Sequence, residues 1–273
     1  MLFRSLADHR LEAESVAAID SKDMDAATWQ RLARRVAHHL ARPEVAGVVV
    51  THGTDTLEET AYFMQRVLAP AKPVVLTAAM RPASALSADG PANLLDAVGL
   101  AGTAGVHGVS VVFAGAAWAA VGLRKVHTLQ TGAFAGSDCG PIARLEGGIL
   151  RTFRAWPEGE ALGLARIAID PLKWPRVEIV TNHAGADGRL VDDAVIAGTA
   201  GLVVAGTGHG TVSTRMEEAL ARARGEGVRV ARASRCAFGP VLPHDAADVD
   251  AAGELSAVQA RVELQLALLA DVR

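Results

Sequence analysis

The sequence predicts an α/β protein built of two lobes, and three observations carry that prediction. Short continuous apolar runs alternate with segments of helical periodicity along most of the 273 residues. Buried strands separated by helices point to βαβ units, and so to a parallel sheet with helices on both faces. The alternation stops over residues 155–176, an irregular stretch with prolines at 157, 171 and 175, and then resumes. The apolar half of the composition is mostly Ala, Val and Leu, with only 4% aromatics. Such a core suits helices packed on parallel strands better than a β-sandwich. The expected division is a larger N-terminal lobe at 1–155, a linker at 156–175 and a smaller C-terminal lobe at 176–273.

Taken in order, residues 25–41 place Trp29, Leu32, Ala33, Val36 and Leu40 at helical spacing, so a helix belongs there. VAGVVVT (45–51) follows as a strand, and a helix is expected over 57–68. Thr56-Leu57-Glu58-Glu59 opens it as a capping box, in which the Thr56 hydroxyl would bond the N3 amide while Glu59 reaches back. PVVLTAA (73–79) is the second strand, followed by a helix from Pro91 to about 103 and a strand at 109–113. Residues 97–123 carry no charge and are long enough to cross a bilayer. Glycines at 99, 102, 105, 108 and 115 break that run, however, and GVSVVFAG (108–115) reads as a buried strand. No membrane association is expected. Beyond the irregular stretch, strands at 176–182, 201–207 and 228–234 alternate with helices at 192–198, 212–224 and 255–271.

Composition excludes several function classes. With 50% hydrophobic and 21% charged residues the chain buries a core and is not disordered. Its 27 Lys+Arg against 30 Asp+Glu leave a net charge of −3, without the basic excess of a nucleic-acid binder. Cys139 and Cys236 lie far apart and form no CxxC, which excludes a disulfide framework and a Cys-based zinc site. His38 and His39 fall on a helix and read as surface or boundary residues. AGTGHGT (205–211) is glycine-rich but does not fit GxGxxG, so nucleotide binding is not indicated. Residues 1–14 carry charges every few positions and no apolar h-region, which is not a secretory signal. The chain as written is therefore expected in the cytoplasm.

The informative stretch is Val48–Tyr62, VVVTHGTDTLEETAY. A parallel strand ends near Thr51, and open α/β sheets place ligands at such carboxyl ends. His52-Gly53-Thr54-Asp55 becomes a tight loop between strand and helix. Gly53 permits close backbone approach, Thr54 offers a hydroxyl that can be activated as a nucleophile, and Asp55 can pair with a substrate ammonium. On residues alone, a well-capped strand-to-helix turn accounts for the segment equally well.

THGTDTLEETAYF resembles the second signature of the bacterial-type L-asparaginases, the threonine amidohydrolases. The resemblance continues in order through IDSKDMD (19–25), TAAMRPASALSADGPANLLDAV (77–98), RKVHTLQTGAF (124–134) and SAVQARVELQLAL (256–268), covering about residues 12–270. It implies an asparaginase-type α/β fold and hydrolysis of the side-chain amide of L-asparagine to L-aspartate and ammonia, without cofactor or metal. It further implies roles for particular residues. Thr54 matches the family's second catalytic threonine and Asp55 the ligand of the substrate α-amino group. Lys125 completes a proton-transfer triad with them, Ser21 binds the substrate α-carboxylate, and Ala79 lies in a strand end lining the site. The chemistry would run through an acyl-enzyme on a threonine, with backbone amides at strand ends stabilising the oxyanion. Arg81 and Asp89 are expected to hold their loop through charge-assisted bonds. A homotetramer is implied for the full-length form; in the family the loop matching 205–211 reaches a neighbouring subunit's site, often with asparagines, and His209 and Thr211 occupy those places here. For the family's cross-subunit acidic residue, Asp245, Asp248 and Asp250 are all open.

One departure shapes the functional expectation. The family opens with a Thr-Gly-Gly-Thr-Ile strand carrying the primary nucleophile, then a mobile segment with a tyrosine. This chain contains no Thr-Gly-Gly-Thr, and its single tyrosine, Tyr62, sits on the helix after the HGTDT loop. The expectation is an asparaginase that is N-terminally truncated and inactive as it stands, whose full-length form could also be periplasmic. The alternatives are a glutaminase or other amide hydrolase of the same family, or a catalytically dead ligand-binding or structural homologue.

Overall fold

The structure is a computed structural model that describes residues 10–243 and 251–272. It divides into two compact units, one ending at Ala168 and the other beginning at Ile169.

In the first unit, a 3-10 turn at Ser21–Asp23 precedes α1 (Ala26–Leu40), whose first turn is capped by the Asp25 carboxylate on the Thr28 amide at 2.7 Å. Alternating strands and helices follow: β1 (Val48–Thr51), α2 (Leu57–Leu68), β2 (Val74–Thr77), α3 (Gly90–Ala101) and β3 (Val109–Phe113). β1, β2 and β3 are parallel in that order, with Val48 opposite Val74 and Val74 opposite Val109. After β3 the chain reverses at Ala114-Gly115, both at positive φ, into β4 (Ala116–Ala119). A short ribbon, β5 (Arg124–Lys125) and β6 (Phe134–Ala135), intervenes before the hairpin β7 (Ala143–Glu146) and β8 (Ile149–Thr152). The six-stranded sheet runs β1-β2-β3-β4-β7-β8, so it is parallel over its first three strands and antiparallel thereafter. The expected parallel sheet is present as β1-β2-β3 and continues into an antiparallel half. The cause is the turn at 114–115, which leaves no room for a crossover helix.

The pleat sorts side chains between the two faces. Val75 and Val112 pack with Ala97, Leu100 and Ala101 of α3 on one side. Val74, Leu76, Val111 and Phe113 point the other way, the face served by α2. Val48–Val50 are only half-buried although their apolar run reads as central, because β1 is an edge strand among the described residues. Two buried glutamines bind residues 158–167 into this unit. Gln30 Nε2 donates to the Ile167 carbonyl at 2.6 Å, and Gln65 accepts from the Val109 amide at 2.8 Å while donating to the Glu158 carbonyl.

The second unit contains β9 (Val177–Thr181), α4 (Arg189–Ile196), β10 (Gly201–Gly206), α5 (Thr214–Gly225), β11 (Arg229–Ser234) and α6 (Ala257–Leu268). Its sheet is fully parallel in the order β11-β10-β9. Val177, Val203 and Ala233 face α6, while Val180, Leu202, Val204 and Val230 face α4 and α5. Gly201 lets α6 approach closely, since a Cβ there would sit 2.9 Å from Leu264 Cδ2. No helix is long and apolar enough to cross a membrane among the described residues.

Candidate active site

β1 and β2 are neighbours with Thr51 opposite Thr77, so the segments leaving them, His52–Asp55 and Ala78–Arg81, emerge side by side at one edge of the sheet. Lys125, brought by the β5–β6 ribbon, donates from Nζ to Thr54 Oγ1 at 2.9 Å and to Asp55 Oδ1 at 2.7 Å. The three residues that the sequence singles out as a proton-transfer group are therefore in contact through the lysine, although 71 positions separate Thr54 from Lys125. The Lys125 side chain is 20% exposed and that of Asp55 53%. An ion pair so close to water adds little stability, and its consequence is where it holds the lysine.

Ser21 is buried against the same loop. Its Oγ accepts the Asp55 amide at 3.2 Å, and its carbonyl accepts the Thr56 hydroxyl at 2.7 Å. The expected capping box is therefore not formed. Thr56 makes no side-chain cap to α2 and has φ −122° and ψ 20°, because its hydroxyl is turned to the 3-10 turn instead. Gly53 is required here, since a Cβ at 53 would run into Ser21 Oγ and lie 2.8 Å from Ser21 Cβ.

Ala79 is exposed just past β2, joined to the Thr54 group by strand adjacency alone. Its loop is held as expected. Asp89 accepts the amides of Met80 and Arg81, both at 3.0 Å, and Arg81 donates to the Ser87 carbonyl and hydroxyl. Burial works against the Asp89 charge, but the hydrogen bonds outweigh it and hold its carboxyl below the usual range. Buried Asn93 ties the Ala78 carbonyl to the Ala114 amide.

Several neighbours were not singled out by sequence. His52 Nδ1 lies 2.7 Å from the Gly53 carbonyl and Nε2 lies 3.0 Å from Thr60 Oγ1, which also accepts the Trp29 indole N–H at 2.9 Å. A carbonyl only accepts, so Nδ1 carries the proton and Nε2 receives the Thr60 hydroxyl. Burial keeps this imidazole below its ordinary pKa, against the pull of the Gly53 carbonyl, so it is neutral near pH 7. Glu58, in the first turn of α2, is half-buried. Burial, and then the charge of Glu59, push its carboxyl up to about 7. A pocket of about 460 Å³ is lined by Asp55, Lys125, Val126, His127 and Thr128. His127 Nδ1 accepts the amides of Leu129 and Gln130 and so shapes its wall. Adjacency to Lys125 was the one signal that could have marked 126–128.

In the second unit, the 205–211 loop closes on itself through paired amide–carbonyl bonds between Thr207 and Thr211. His209 Nε2 accepts the Leu242 amide at 2.8 Å. Asp245, Asp248 and Asp250 lie outside the described residues.

A hydroxyl, a lysine and a carboxylate joined at the carboxyl end of a parallel strand define an α/β protein equipped for nucleophilic or proton-transfer chemistry on a small polar molecule. Comparison with known proteins makes this specific. Residues 2–157 match the family model "Asparaginase, N-terminal", and residues 176–272 match "Glutaminase/Asparaginase C-terminal domain". The chain belongs to the asparaginase family. It is 36% identical over 266 residues to L-asparaginase 2 of Bacillus subtilis, covering 94% of this chain and 70% of that one. It is 34% identical to the glutaminase-asparaginase of Pseudomonas fluorescens, covering 94% and 73%. Among solved structures, a probable cytoplasmic L-asparaginase from Campylobacter jejuni superimposes with a TM-score of 0.85 at 34% identity, covering 93% of this chain and 80% of that one.

Proposed function

We propose that this chain is an asparaginase-type amidohydrolase that acts on the side-chain amide of L-asparagine, releasing L-aspartate and ammonia. The observation that carries the reading is the Thr54–Lys125–Asp55 contact, 2.9 and 2.7 Å. In its amine form Lys125 is within reach to take the Thr54 proton, so that Thr54 can draw the proton from an attacking hydroxyl that a family-type Thr-Gly-Gly-Thr strand would supply. The lysine then returns the proton to the departing nitrogen, which leaves as ammonia, and water hydrolyses the acyl group. Asp55, half in solvent, pairs with the substrate α-ammonium as well as holding Lys125. Ser21 takes the α-carboxylate and Ala79 contributes the adjoining strand end. We assign the active protein a homotetrameric state and a cytoplasmic location, the latter in keeping with the probable cytoplasmic L-asparaginase of C. jejuni.

The chain holds no Thr-Gly-Gly-Thr sequence. We therefore expect the 273 residues alone to bind L-asparagine without measurable turnover. Calorimetric titration of the purified chain with L-asparagine, beside an ammonia assay, tests this. Binding that Asp55→Ala abolishes supports the reading, and no binding sinks it. Ammonia release at an ordinary enzymatic rate would show Thr54 acting as the sole nucleophile. L-Glutamine is the second candidate substrate because the P. fluorescens relative bears both names, and the same titration ranks the two.

A further inference from the structure

His52 adjoins the candidate site, and the chemistry above gives it no task. Its backbone still belongs to the sheet, the amide donating to the Thr77 carbonyl at 2.9 Å, while its ring turns forward onto the Gly53 carbonyl at 2.7 Å. Two core residues stand behind the ring. Thr60 is fully buried, and Trp29 is 5% exposed and stacked on Phe63 with ring centroids 4.9 Å apart. The contacts join end to end: Trp29 Nε1 to Thr60 Oγ1 at 2.9 Å, Thr60 Oγ1 to His52 Nε2 at 3.0 Å, and His52 Nδ1 to the Gly53 carbonyl. An indole nitrogen only donates and a carbonyl only accepts, so both ends of this chain are fixed. Every proton between them therefore points toward Gly53.

The far end of the chain grips a peptide that needs holding. Gly53 has no Cβ because Ser21 occupies its place, and a glycine turns more freely than any other residue. The carbonyl of Gly53 and the amide of Thr54 belong to one planar trans unit and point to opposite sides of it. Holding the carbonyl on His52 thus turns the Thr54 N–H the other way, and that N–H has no partner among the described residues. Thr54 also carries the hydroxyl that meets Lys125 at 2.9 Å. We propose that His52 is a positioning residue: backed by Thr60 and Trp29, it fixes the 53–54 peptide so that the Thr54 hydroxyl stays on Lys125 and the Thr54 N–H stays open to an oxygen of the substrate. The inference rests on the asparaginase reading, since it presumes that the substrate sits at Thr54.

The test uses the full chain and two variants that each keep half of the imidazole. His52→Asn keeps a donor at the place of Nδ1 and loses the bond to Thr60. His52→Gln keeps an acceptor at the place of Nε2 and loses the donor to Gly53. Calorimetry with L-asparagine and thermal melts should therefore diverge. His52→Gln should weaken binding by about tenfold, the worth of one hydrogen bond, and melt near the wild type. His52→Asn should bind within about twofold of the wild type although it melts lower. Binding that follows the melting temperature in both variants would make His52 structural only and overturn the proposal. The ring gives a second readout. In a chain labelled with 15N-histidine, the His52 ring signals, identified by their loss in His52→Asn, should show the proton on Nδ1. A proton on Nε2 reverses the chain and also overturns the proposal. If either variant fails to fold, the ring spectrum and the other variant decide. Absence of L-asparagine binding in the wild type counts against the asparaginase reading. The role of His52 is then decided by the ring proton and by the Thr54 amide signal, expected to stay in place in His52→Asn and to move in His52→Gln.

Discussion

Gly53 has no side chain because Ser21 already occupies the space one would need. Ser21 is 4% exposed and bonded through both its hydroxyl and its carbonyl, so it cannot step aside cheaply. Gly53→Ala should cost about 1–3 kcal/mol of stability, the usual range for overpacking. It should also weaken asparagine binding, and Ser21→Gly in the same chain should recover the stability but not the binding. Thermal melts and calorimetry on the single and double variants check this. Lys125 predicts differently. Added to a chimera with a family-type Thr-Gly-Gly-Thr strand ahead of residue 1, Lys125→Met should lower kcat by about two to four orders of magnitude, the span of general acid–base groups. KM should change less, because a group acting mainly in the transition state leaves ground-state binding largely intact. A near-normal kcat would make Lys125 structural.

At the scale of elements, five of the six described α-helices fall into two kinds, α4 starting instead at Gly188 without a side-chain cap. α1, α5 and α6 start with Asp25, Ser213 and Ser256 capping their own first turns. α2 and α3 start at the candidate site, and their N-cap side chains are spent elsewhere. Thr56 goes to the Ser21 carbonyl, and Asp89 to the amides of Met80 and Arg81. Helix starts there give up an ordinary cap to fix the neighbouring strand-end loops. Asn93→Ala tests how much this fixing is worth. It removes bonds to the Ala78 carbonyl and the Ala114 amide in a residue 2% exposed, and should destabilise by about 3 kcal/mol, given 1–3 for each buried group left without its partner. The α2–ribbon junction carries a pH dependence of defined sign. The Glu58 carboxyl lies near 7 in the fold against an ordinary 4.5, so the folded state holds the proton more tightly than the unfolded one. Its contribution is complete below about 4.5 and is lost as pH rises through about 7. Glu58→Gln should therefore be more stable than the wild type at pH 8 by up to about 3 kcal/mol, and the gap should close by pH 5. Melting curves at the two pH values measure it; a gap that does not change with pH refutes the sign.

At the scale of the whole chain, each unit owns a complete core. In the second, a three-stranded parallel sheet is covered on one face by α6 and on the other by α4 and α5, with Val203, Leu202 and Val204 at its centre. A sheet buried on both faces needs no further layer to remove its apolar side chains from water. Residues 169–273 expressed alone should therefore melt cooperatively and show dispersed amide signals. A fragment that stays unfolded would show that this core depends on the rest of the chain. In the first unit, surface charge adds attachment rather than core. Arg42 holds Glu12 at 2.7 Å, and Arg35 with His39 holds Glu14, which fastens the irregular residues 12–14 to α1.

Among the described residues, the six α-helices and the six parallel strands were legible in sequence, because apolar periodicity reports burial on a face and each element has its own period. The site was legible in part. Thr54 and Asp55 announce themselves as polar residues between a strand end and a helix start, and Lys125 and Ser21 entered through resemblance to a family. Local pattern could not show the antiparallel half of the first sheet. β4 to β8 are two to four residues long, too short for a period to register, and their pairing is set by the turn at 114–115. Nor could it show that Val48–Val50 lie at an edge, since an apolar run records hydrophobicity and not neighbours. The capping box at Thr56 was a sound local inference overruled from 35 positions away, where the Ser21 carbonyl offered the hydroxyl a better-placed partner. Glu58 carried no signal as a residue in a helix's first turn, where acidic side chains are common. What makes it unusual is the burial that raises its carboxyl, which exists only once the start of α2 has been packed into the fold. Sequence determined which segments would be helix or strand and which residue types could do chemistry. The tertiary structure decided which donors meet which acceptors, because hydrogen bonds and desolvation depend on distance in space and not along the chain.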